Sequence, residues 1–157
     1  MSHVEQRLEE MGLALPDPPQ PAGNYLPCNW SGNQLWLAGV GSRTTDGTRI
    51  SGKLGSELDL EQGYQAAQCC ALNLLSRIKA EVGDLDRVAR IIKVVGFINS
   101  DPSFGGQAQV LDGASDLFVE LYGNAGRHAR SAPGMAALPG NISVIVECVV
   151  EIREPDC

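Results

Sequence analysis

The chain has 157 residues, 43% of them hydrophobic, and a formal charge of −7, which suits one domain over 1–157 large enough to bury its own core. Its negative field repels phosphate backbones and anionic membranes, and no apolar stretch approaches the ~20 residues that span a bilayer, so neither a nucleic-acid nor a membrane partner is expected. Glu5, Glu9 and Glu10 stand where a secretion signal has a basic start, and a cytoplasmic location is expected.

Ser2 followed by Glu5 predicts a capping box and a short helix, with Val4, Leu8 and Met11 on one face and Gly12 closing it. Pro16, Pro18, Pro19, Pro21 and Pro27 then remove backbone donors, so the chain from Leu15 to Pro27 is expected to run extended over the surface. Residues 1–24 thus form a helical and proline-rich extension. Tyr25 to Trp30, a Ser31-Gly32-Asn33 turn, and Gln34 to Val40 read as a hairpin. Asp46-Gly47 marks a tight turn, and Arg49 to Leu54 is an expected third strand.

Asp59 caps and Gly83 stops the longest helix, Leu60 to Val82, in which Tyr64, Ala67, Ala71, Leu74, Leu75, Ile78 and Val82 make one apolar stripe. After a turn at Leu85 to Ala89, the β-branched run within Arg90 to Asn99 predicts a central strand. A second helix, Gln107 to Tyr122, carries Val110, Leu111, Ala114, Leu117, Phe118 and Leu121 and ends near Gly123. Strands at Arg130 to Ala137 and Ile142 to Ile152 finish the chain, joined by a Pro139-Gly140-Asn141 turn. Two amphipathic helices cover one face of such a sheet, which is the α+β arrangement with helices segregated to one side. A partner subunit is expected to cover the other face in a closed symmetric oligomer.

The cysteines at 28, 69, 70, 148 and 157 form no Cys-x-x-Cys pair and no metal-ligand spacing with His3 or His128. They read as reduced, with Cys69, Cys70 and Cys148 acting as small apolar residues. Arg130 stands alone at the start of a strand. It is either an anchor for a small carboxylate, for which a guanidinium fork is well suited, or a solvated edge residue. Glu147, the one charged residue early in the last strand, is either a base or a structural partner for Arg130 or a neighbouring chain. His128 shares the face of Arg130 if the strand begins that early, as a proton carrier or as a surface group.

Asn24-Tyr25, Leu35-Trp36-Leu37-Ala38-Gly39, Gly55, the Gln65 to Leu75 helix, Asp86-Arg87-Val88 before Ile91 to Val95, and Ala129-Arg130-Ser131 with Leu138-Pro139 together resemble the RidA/YjgF family, also known as endoribonuclease L-PSP. The similarity runs from Tyr25 to Ile152, and the extension and the Gly126 to Arg130 context fit a divergent subgroup. The resemblance implies a chorismate-mutase-like fold, a homotrimer whose sheets line a barrel, and clefts between subunits. It also implies hydrolysis of reactive 2-imino or enamino acids to 2-oxo acids and ammonia, with no cofactor and no metal. Arg130 and Ser131 would bind the substrate carboxylate, Arg130 and Glu147 would be the catalytic residues, and Tyr25 and Gly39 would line the cleft. Tyr25 can equally pack on the proline segment, and Gly39 can equally mark a bulge. Where many members have a cysteine and an acidic residue to handle water, this chain has Ala132 and Ile145. A trimeric carboxylate-binding protein without turnover is therefore the alternative. A ribonuclease comes third, since charge opposes it and no basic aromatic patch is visible.

Overall fold

The computed structural model describes residues 1–154, so the expectation for Cys157 lies outside the described residues. Helix α1 (His3–Glu10) opens with the expected capping box, in which Ser2 Oγ accepts from Glu5 N at 3.1 Å and Glu5 Oε2 accepts from Ser2 N at 3.0 Å. Asp86 adds a second cap from afar by accepting from His3 N and Val4 N at 2.7 and 3.0 Å. The proline segment forms no regular element and leads to strands β1 (Cys28–Ser31) and β2 (Gln34–Gly41). The hairpin starts at Cys28 rather than Tyr25 because Pro27 has no N–H to pair, although its carbonyl still accepts from Ala38 N at 3.0 Å.

Helix α2 (Leu60–Val82) is bracketed as its sequence predicts. Asp59 Oδ1 accepts from Gln62 N at 2.8 Å, and Gly83, at φ 82°, donates to Lys79 O. Strand β3 (Val88–Asn99) follows, then helix α3 (Gln107–Tyr122). The last elements are short strands β4 (Ala129–Ser131) and β5 (Gly134–Met135), and the long β6 (Val144–Ile152).

Two expectations are corrected. Arg49 to Leu54 is no strand, because Gly52 and Gly55 take positive φ and leave only isolated bridges, such as Ser51 to Ile142 and Leu54 to Ser100. The strand expected over Arg130 to Ala137 is broken at Ala132-Pro133 into β4 and β5, both parallel to β3, since Pro133 cannot donate to a ladder.

The sheet order is β1-β2-β6-β3-β4, antiparallel from β1 to β3, with β5 also pairing with β3. This is a mixed-sheet α+β fold with three helices. Leu74, Leu75, Ile78, Leu111, Phe118, Val94, Val146 and Val150 are sealed between sheet and helices, each contributing about 1.5–3 kcal/mol. Where α3 crosses α2, Gly113 lies against the Tyr64 carbonyl; an added Cβ would come within 2.0 Å of that oxygen. The opposite face carries Trp36, Lys93, Val95, Phe97, Ile145 and Glu147, and Trp36 is 52% exposed.

Cross-strand partners share a face, so register assigns the candidate residues to sides. Arg130, Val94, Cys148 and Leu37 form one row under the helices. Ser131, Val95 and Glu147 form the next row on the open face, and there the ladder ends in a β-bulge at Ala38-Gly39.

Candidate functional site

Two groups of side chains stand out, one at the β4 edge of the sheet and one beside the half of β2, Ala38 to Gly41, that β1 does not cover and that is called the β2 edge below. At the β4 edge the Arg130 guanidinium turns toward α3. Its Nη1 donates to Asp112 Oδ1 at 2.7 Å and to Ser115 Oγ at 3.1 Å, and its Nη2 donates to Ala108 O at 3.3 Å. These residues recur at three- and four-residue steps, so one stripe of α3 holds the whole arginine head. A guanidinium has five N–H donors, and these contacts leave Nε–H and one Nη2–H, the two that form its side-on fork. The side chain is 25% exposed.

His128 shares Ser115 with Arg130, as its expected placement on the same face requires. Its Nε2 lies 2.9 Å from Ser115 Oγ and its Nδ1 lies 2.7 Å from the Gly126 carbonyl. A carbonyl only accepts, which puts the ring proton on Nδ1 and lets Ser115 donate to Nε2. Burial holds the imidazole pKa below its ordinary value; the Arg130 charge acts in the same direction and the Gly126 carbonyl opposes both. The ring also meets Phe118 edge-on at 5.9 Å. A neutral histidine thus orients a serine that orients the arginine.

Glu147 does not pair with Arg130. It leaves the opposite face of the sheet, in the row of Ser131 and beside the Ala38-Gly39 bulge. Gly39 packs so closely on Ile145 that a Cβ would sit 2.8 Å from its Cγ2. This glycine falls in the bulge and also lines a cleft. That cleft, of about 380 Å³, lies at the β2 edge under the proline segment, with Tyr25, Ala38, Gly41, Arg43 and Arg77 on its walls. Tyr25 packs on the proline segment, where its hydroxyl accepts from Ala22 N at 3.2 Å, and its half-exposed ring lines the same cleft.

Sequence reasoning brought Tyr25 and Gly39 together and missed Asp112, Ser115, Arg43 and Arg77. The signal for Arg77 was present, because it interrupts the apolar run Leu74 to Ile78 inside the buried stretch of α2. The cysteines are as expected: Cys70 and Cys148 are buried and their thiol pKa values pushed up by burial. A wider groove beside α1 holds Glu5 and Lys79, but these are already paired with each other and so are structural. Among the described residues no cluster of metal-ligating groups occurs, and no helix is long and apolar enough to cross a membrane.

The same architecture recurs in known proteins. Protein TCP17 of Trypanosoma cruzi is 42% identical over 151 residues, 96% of this chain and 94% of that protein. The crystal structure of Atu1372 from Agrobacterium tumefaciens, a protein of unknown function, matches with a TM-score of 0.88 and 40% identity over 96% of this chain and 92% of that one. A Shewanella oneidensis structure described as a putative endoribonuclease matches with a TM-score of 0.91 and 33% identity over 95% and 99% of the two chains. The family described as YjgF/chorismate mutase-like, putative endoribonuclease, covers residues 5–152. By sequence over nearly its full length and by fold, the chain belongs to the YjgF/chorismate-mutase-like family.

Proposed function

We propose that this protein hydrolyses small reactive 2-imino acids at sites shared between adjacent subunits of a homotrimer, with Arg130 of one subunit facing Tyr25, Gly39 and Glu147 of the next. The observation that carries this reading is the spare side-on fork of Arg130, held by Asp112, Ser115 and Ala108 at an open sheet edge. It is a preorganised grip for a carboxylate.

Distance supports a shared site. The β4 and β2 edges are three strand spacings apart, roughly 14 Å, whereas reacting groups must come within about 3 to 3.5 Å. One chain cannot close that gap. A neighbour packed head to tail brings the β4 edge of one copy to the β2 edge of the next, and such contacts close into a ring. The same packing would cover the open face around Trp36.

In this scheme the carboxylate binds Arg130, whereas Ser131, on the opposite face of β4, stands in the row of Glu147 and not beside the guanidinium. Glu147 takes a proton from water as the oxygen attacks the C=N carbon and returns it to the amine nitrogen of the carbinolamine; it then takes the hydroxyl proton as the C=O bond forms and the C–N bond breaks, releasing ammonia and a 2-oxo acid. Because the protonated imine is already electrophilic, orientation and one base suffice.

The test is complementation between inactive variants. Arg130→Met is expected to lose binding of 2-oxobutyrate, and Glu147→Gln to keep binding but lose about 100-fold in kcat on freshly generated 2-aminoacrylate. Refolded together in equal amounts, the two should regain about a quarter of wild-type activity, the fraction of head-to-tail sites holding both native residues. No recovery overturns the shared site, and a monomer in solution overturns it as well. Wild-type binding without any turnover leaves the non-catalytic carboxylate-binding reading in its place.

A further inference from the structure

We infer that Arg43 and Arg77 form an anion subsite in the β2-edge cleft, built for the distal negative group of an acidic 2-oxo or 2-imino acid. The anion subsite stands on the cleft alone; the assignment of its ligand as the far end of the substrate rests on the function proposed above.

Arg77 is 9% exposed, yet among the described residues its guanidinium donates no hydrogen bond and joins no salt bridge. No buried polar side-chain atom of the described residues is without a partner, so the Arg77 nitrogens are not sealed off. The open space they reach is this cleft. A buried, unpaired cation is costly, and nothing in the packing of α2 requires a guanidinium at that position.

Arg43 converges on the same cleft from β2's continuation and likewise has no side-chain partner among the described residues. Its backbone is pinned by α2, since Asn73 Nδ2 donates to the Arg43 carbonyl at 2.9 Å. Asn73 and Arg77 are one helical turn apart, so the same face of α2 both fixes the first arginine and presents the second.

Two of the nearby carboxylates are engaged elsewhere. Glu81, one turn beyond Arg77, accepts from Trp30 Nε1 at 2.7 Å and also holds Cys28. Asp46, near Arg43, accepts from Thr44 Oγ1 at 2.5 Å and from Thr48 N at 3.0 Å. Asp17 lines the adjoining recess with Arg43 without an ion pair to it. Two guanidiniums of like charge lining one cleft repel each other. An anion removes that repulsion and supplies the missing acceptors. The chain as a whole is acidic, at −7, so this local cationic pair is no by-product of a basic surface.

Carboxylate and phosphate share the chemistry a pair of arginines recognises, and the test separates them. Titration calorimetry on the full chain would compare 2-oxoglutarate with 2-oxobutyrate, which differ by the distal carboxylate, with inorganic phosphate as competitor. Wild type is expected to bind 2-oxoglutarate at least about tenfold more tightly. Arg77→Met and Arg43→Met should each bring the ratio of the two dissociation constants toward one, whereas Arg130→Met should weaken both ligands alike. Equal affinities in wild type, or a preference that survives in both arginine variants, overturn the subsite. If Arg77→Met fails to fold by circular dichroism, a variant of the solvent-exposed Arg43, Arg43→Met, decides alone, and an unchanged ratio there overturns it. Phosphate displacing 2-oxoglutarate at lower concentration than 2-oxoglutarate itself binds assigns the cleft to a phosphoryl group and overturns the dicarboxylate ligand. If Arg130→Met leaves both affinities untouched while the Arg43 and Arg77 variants abolish the preference, the subsite stands and the proposed role of Arg130 fails.

Discussion

The two edges of the sheet treat an arginine in opposite ways. At the β4 edge Arg130 is neutralised by Asp112 and steadied by Ser115 and the Ala108 carbonyl, so most of its donors are used within the chain. At the β2 edge Arg77 is more deeply buried and has no such partners among the described residues. A guanidinium held by its own chain acts as a positioned tool with a fork to spare, whereas one left without acceptors advertises a ligand. The difference lies in the helices behind them, since α3 presents acceptors to its edge and α2 presents another donor.

That contrast can be broken most severely at Phe118. Phe118→Ala removes a fully buried ring beneath the β4 edge and the edge contact to His128, and is expected to cost about 3–5 kcal/mol. Urea unfolding would show it as a lower midpoint with an unchanged slope.

Asp112→Asn should have a smaller and more pointed effect. It removes the Arg130 counter-charge while leaving a hydrogen-bond acceptor, so the fork should wander and KM for an imine substrate should rise about fivefold, with less than about 1 kcal/mol lost in stability. A fall in kcat at constant KM would show that Asp112 acts in the chemistry and not through Arg130.

His128 gives a pH signature confined to the same edge. Its folded pKa lies below the unfolded value, so the unfolded state binds more protons in the window between them. The stabilisation is fully present above the unfolded pKa, about 6.5, and is lost as pH falls through the folded value. Denaturation midpoints of wild type should therefore drop more than those of His128→Asn between about pH 7 and pH 5. Parallel curves would mean that the ring titrates as if solvated.

The mildest change is Tyr25→Ala at the other edge. The ring is half exposed, so stability should stay within about 0.5 kcal/mol, while affinity for 2-oxobutyrate should fall a few-fold through loss of a cleft wall.

The contrast also explains what the sequence made legible. Helix α2 and helix α3 could be read to the residue because apolar stripes agree with the cap at Asp59 and the stops at Gly83 and Gly123, and β3, which starts two residues before the expected Arg90, could be placed because a β-branched run has few alternatives. The break at Pro133 was visible as a proline yet passed over within a longer strand. The bends at Gly52 and Gly55 depend on positive φ that the letters permit without demanding. The functional groups followed the same logic. Tyr25 and Gly39 come from the family resemblance and not from local spacing. Arg43 meets Arg77, and Asp112 meets Arg130, only through tertiary packing, which no local spacing encodes. The opposite facing of Arg130 and Glu147 is a matter of register, which the pairings of β4 with β3 and of β3 with β6 decide.

Gly113 sits between the two residues of α3 that matter most to Arg130, Asp112 on one side and Ser115 two positions on, and it rests on the Tyr64 backbone. A position at the crossing of the two helices thereby sets how closely α3 approaches α2, and with it where the Arg130 guanidinium is held. Any attempt to retune this protein toward other substrates inherits that hidden spacer: the walls of the cleft are free to change, but the hinge-pin of the grip is a missing side chain.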